Sequence, residues 1–109
     1  MQRFKNTKDF DEYVKNKPLS PRILKEISAA VGQVQDLINS GFQGMKACVI
    51  LIETEKEHET VIRKYGLSDI VPEFTEEIID GKNTWQKSVY ITDDSGDGIV
   101  VFYKPDVCP

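Results

Sequence analysis

Two short segments of this chain are apolar on both alternating faces, and they constrain the fold more than any other feature. Met45–Ile52 reads Met-Lys-Ala-Cys-Val-Ile-Leu-Ile, and Ile99–Tyr103 reads Ile-Val-Val-Phe-Tyr. Both are β-branched and short, so each is predicted to be a strand; a buried helix is the alternative for the first. A half-solvated strand alternates apolar with polar residues, whereas a strand with no polar face must be covered on both sides. The chain therefore needs a sheet with central strands and something to lay on each of its faces.

Three segments offer helical cover. The clearest begins with Ser20 as N-cap and Pro21 at the first helical position, where its missing N–H costs nothing. Ile23, Leu24, Ile27, Val31, Val34, Leu37 and Ile38 then recur at steps of three and four, one continuous apolar stripe. Asn39-Ser40-Gly41 supplies the stop. A shorter helix is expected at about residues 8–16, capped by Thr7, with Phe10, Tyr13 and Val14 on one face and Pro18 fixing its end. A third is expected over 55–65. Thr54 and Glu57 have the spacing of a capping box, His58, Val61, Ile62 and Tyr65 share a face, and Gly66 terminates it.

The remaining pattern is shorter in period. Residues 72–79 and Trp85–Thr92 are predicted strands around the turn Asp80-Gly81-Lys82-Asn83, with a helical turn as the competitor for 72–79. Val89 and Ile91 fall on one face of the second, and Ser88, Tyr90 and Thr92 on the other. The order is α-α-β-α-β-β-β, with the last three strands an antiparallel meander. The fold class is α+β: three helices packed on a mainly antiparallel four-stranded sheet, in one domain spanning residues 1–109.

Composition narrows the function classes. Charged residues make up 29% and hydrophobic residues 39%, a globular balance. No apolar run approaches the roughly 18–20 residues that cross a bilayer, so no membrane role is expected. Met1-Gln2-Arg3-Phe4-Lys5 turns polar at once, unlike a secretory signal, and a cytoplasmic location is expected. Cys48, inside the first apolar run, reads as a small core hydrophobe, and Cys108 as part of a loose tail. The net charge of −4 is uneven: residues 1–46 carry +3 and residues 47–109 carry −7. An acidic whole argues against nucleic-acid binding, which rests on neutralising phosphates.

Candidate chemistry is sparse. Asp93, Ser95, Asp97 and Gly98 fit the first half of a calcium loop, which makes Asp93 and Asp97 the candidate cation ligands. Lys104 replaces the bidentate glutamate such a loop needs, and the flanks read as strands. A tight turn needs the same residues. His58 is the single histidine; Glu55, Glu57 and Glu59 lie near it in sequence, and Thr54 and Ile62 at i±4 make no ligand pair with it. Glu73, Glu76, Glu77, Asp80, Asp93 and Asp94 make an acidic surface without a general acid/base arrangement. No nucleotide loop, nucleophile elbow or Cys-x-x-Cys pair is present, so no catalytic residue and no cofactor are assigned. Trp85, Tyr90 and Tyr103 are the candidate binding residues, as aromatics on a sheet face left open if helices cover only one side.

The run Lys-Tyr-Gly-Leu, Pro-Glu-Phe, Trp-Gln-Lys-Ser-Val-Tyr-Ile-Thr-Asp-Asp and Gly-Ile-Val-Val-Phe-Tyr resembles, in general style, small uncharacterised proteins of Gram-positive bacteria and their phages or plasmids. The resemblance implies a bacterial, mobile-element setting and carries no activity. The expectation is a small protein-interaction or regulatory module, bound to a protein partner or to a second copy. A small-ligand or divalent-metal domain and an enzyme without a linear motif are the alternatives.

Overall fold

A mixed five-stranded sheet lies between helices, with strand order β1-β2-β5-β4-β3. The computed structural model describes residues 2–40, 47–81, 83–91 and 98–104. The elements are β1 (Gln2–Phe4), α1 (Thr7–Asn16), α2 (Pro21–Asn39), β2 (Cys48–Ile52), α3 (Glu55–Lys64), β3 (Phe74–Asp80), β4 (Asn83–Ile91) and β5 (Gly98–Tyr103). The three expected helices are present, and β3, β4 and β5 form the expected antiparallel meander.

Two features refine the expectation of a mainly antiparallel four-stranded sheet. β1 adds a fifth strand, antiparallel to β2, and β2 runs parallel to β5. β1 is only three residues long, with Phe4 alone buried, too little for a periodic signal. Parallel strands occur where both faces are covered, and the two joined here are the two segments with no polar face.

Alternation along the strands sorts the core into two layers. Val49, Leu51, Val100, Phe102, Ile78 and Trp85 face one way and meet Phe10 of α1 and Ile23, Ile27, Ala30, Val31 and Val34 of α2. Cys48, Ile50, Ile52, Ile99, Val101 and Tyr90 face the other way and meet Val61 of α3, Tyr65 and Leu67. Every residue of β2 is buried. One chain therefore covers both faces of its central strands, and those strands do not call for a partner. No helix among the described residues is long and apolar enough to cross a membrane.

The helix starts differ in detail from expectation. Asn6, not Thr7, caps α1: its side chain accepts from the Asp9 amide at 2.8 Å. Thr7 instead ties α1 to α2, its amide and hydroxyl both donating to Gln35 Oε1 at 2.8 and 3.2 Å. Ser20 occupies the N-cap of α2 without a side-chain capping bond. The Asp80 carboxylate at the end of β3 accepts from the Ile23 amide at 3.4 Å and takes that role. Thr54 caps α3 as expected, accepting from the Glu57 amide at 3.2 Å.

Candidate functional site

The three aromatics singled out in the sequence do not form one patch. Trp85 is 3% exposed and lies in the core layer beneath α1 and α2, with Lys104 Nζ 6.0 Å from its ring centre. Its sequence neighbours are polar, yet strand alternation carries its ring inward, on the same face as Val89. Tyr90 is 8% exposed in the opposite layer. Burial pushes its phenol above the usual range, partly offset by a hydrogen bond with Ser88. Tyr103 is half-buried and stacks on His58 of α3, ring centres 4.3 Å apart and planes 4° apart. Asp93 and Asp97 lie outside the described residues, as does Cys108. Among the described residues no group of three or more His, Cys, Asp or Glu side chains could hold a metal ion.

The exposed apolar surface lies elsewhere. Among the described residues five large hydrophobic side chains are exposed, and four of them belong to the β3–β4 hairpin or the segment entering it. Val71 is 84% exposed, Ile79 64%, Phe74 47% and Ile91 44%. α3 covers β2 and β5, and the hairpin extends past it. The result is an open hollow of about 340 Å³ lined by Thr75, Glu76, Glu77, Gln86, Lys87 and Ser88.

β3 is also an edge. It pairs with β4 on one side and with no described strand on the other. The register shows which of its groups point outward. Asp80 sits opposite Asn83 across a two-residue connection, with Gly81 at φ +62°, the left-handed geometry of a tight hairpin. The pair flanking such a turn exchanges both backbone hydrogen bonds, and bonded residues then alternate along the ladder. The amides of Phe74, Glu76, Ile78 and Asp80 turn toward β4, and those of Thr75, Glu77 and Ile79 turn outward. At the strand's start the Glu73 amide donates to the Val89 carbonyl at 2.8 Å, although Val89 is already paired with Phe74. Two residues of one strand thus oppose one of the other, a β-bulge.

The edge is strongly acidic. β3 reads Phe-Thr-Glu-Glu-Ile-Ile-Asp, with Glu73 just before it and no basic residue within it. Glu76 and Glu77 project on opposite faces. The residue across from Glu76 is Lys87, whose ammonium lies over the rings of Phe74 and Phe102 at 5.8 and 5.9 Å. The residue across from Glu77 is Gln86.

Two further hollows lie elsewhere on the described surface. A hollow of about 410 Å³ runs beside α3, lined by His58, Glu59, Ile62 and Arg63. At the far end of the sheet a cavity of about 160 Å³ includes Lys17, Ser20, Glu53, Asn83 and Lys104 in its lining. Its Lys17 and Glu53 already neutralise each other at 2.6 Å, and that hydrogen bond raises the lysine's pKa. The β3 edge was missed in the sequence, but it carries a signal there. Both of its faces mix apolar and acidic residues, as those of β4 mix apolar and polar ones, which marks the hairpin as a flank of the sheet with little cover. Compared with protein-family models, curated proteins and solved structures, the chain matches none.

Proposed function

We propose that this chain is a protein-interaction module that takes up an extended segment of a partner along the outer edge of β3. The observation that supports this reading is the edge itself. It is seven residues long, exposed on both faces over much of its length, and presents the outward amides of Thr75, Glu77 and Ile79. Unpaired strand edges are templates for strand addition. In that mode main-chain hydrogen bonds supply affinity and alternate side chains supply specificity. Phe74 and Ile79 give each face of the edge one apolar contact.

The test is a selection from a displayed library of random twelve-residue peptides, run against the chain and against its Glu77→Pro variant. Proline at residue 77 removes an outward donor and leaves the bonds to β4 in place, a position where edge strands tolerate it. Circular dichroism checks that the variant folds, and Thr75→Pro serves if it does not. The reading predicts peptides that bind the parent and are lost on the variant. Peptides retained equally by both chains, or no enrichment at all, would contradict it.

A further inference from the structure

We infer that the segment added to β3 is basic, carrying Lys or Arg opposite Glu76 and Glu77, and that it is not the β3 edge of a second copy of this chain. This inference rests on strand addition at the β3 edge and deepens it by naming the partner's chemistry. Two like edges related by a two-fold axis perpendicular to the sheet pair residue i with residue 2c − i, where c is the central residue. Centring on Thr75 sets Glu77 opposite the other copy's Glu73. On Glu76 or Glu77 each residue meets itself, and on Ile78 Glu76 meets Asp80. Every register that overlaps most of the strand therefore places carboxylate against carboxylate. Like charges directly opposite each other destabilise a strand pair, whereas opposite charges stabilise it. The same carboxylates that keep two edges apart favour an incoming strand with a cation on each face. Residues 47–109, which include this edge, carry a net −7, so the surrounding field also attracts a basic segment.

The partner's pattern follows from the alternation. A cation next to Glu76 lies on the α1–α2 face and one next to Glu77 on the α3 face. Apolar side chains flank Phe74 and Ile79.

Two blocked synthetic peptides test this, one combining lysine with valine and one the same with glutamate for lysine, titrated into the full chain at low salt. The lysine peptide is expected to bind about tenfold or more tightly than the glutamate peptide, to weaken as salt is raised, and to be lost on Glu77→Pro. In the Glu76→Lys/Glu77→Lys variant the preference is expected to reverse. Equal binding of both peptides, lost on Glu77→Pro, would overturn the basic partner and leave strand addition standing. Lysine-peptide binding that survives Glu77→Pro would overturn strand addition and this inference together, and so would binding by neither peptide. Self-association of the parent that stops at a dimer and is abolished by Glu77→Pro would overturn the exclusion of a second β3 edge.

Discussion

Individual side chains here are read correctly only when their strand partners are known. Trp85 illustrates this: five polar or charged residues crowd positions 82–87, yet its ring is one of the core's large components. As the single tryptophan, it is expected to emit at short wavelength in the native state and to shift red on unfolding in urea. A red emission from the folded protein would contradict its placement. Phe102 is fully buried between α2 and the sheet, so Phe102→Ala is expected to cost about 3–5 kcal/mol, measured by denaturant unfolding. Burial also pushes the Tyr13 and Tyr90 phenols up. A raised phenol holds its proton longer in the native state than in the unfolded one. The corresponding stability is complete below the ordinary phenol value of 10.0 and is lost as pH rises through the raised native values. Stability should therefore fall as pH rises above 10.0, and Tyr90→Phe should flatten part of that fall.

Elements were more legible than residues. The stripe from Ile23 to Ile38 gives α2 with its bounds, because a long amphipathic period is a local property. The Thr54–Glu57 spacing likewise locates α3. The source of the α2 cap was not legible, since Asp80 reaches the helix start from a hairpin 57 residues later in the chain. Asp80→Ala is expected to cost about 1 kcal/mol and Ser20→Ala only a few tenths, compared by thermal or urea unfolding. The reverse order would show that Ser20 does the capping. The β3 bounds were nearly right, but its position at the edge depends on pairing through space, which no local pattern encodes. The mixed faces of β3 and β4 hinted at sparse cover over the hairpin, not at which strand is the edge.

For the whole molecule, the two fully apolar segments carried the fold class, and they became the parallel pair at the centre of the sheet. Their demand for cover is met from within the chain, by α1 and α2 on one face and by α3 on the other. What remains open is the flank of the sheet beyond α3. Amide hydrogen exchange is expected to be slowest in β2 and β5, which are bonded on both sides, and fastest at the β1 and β3 edges. The central claim is that the β3 edge receives an extended basic strand. Its most direct test is amide exchange of the chain with and without the lysine–valine peptide. Strand addition predicts that Thr75, Glu77 and Ile79 become protected while the inward amides of Glu76 and Ile78 change little. Protection spread evenly over β3, or perturbation confined to the hollow beside His58 and Ile62, would contradict it.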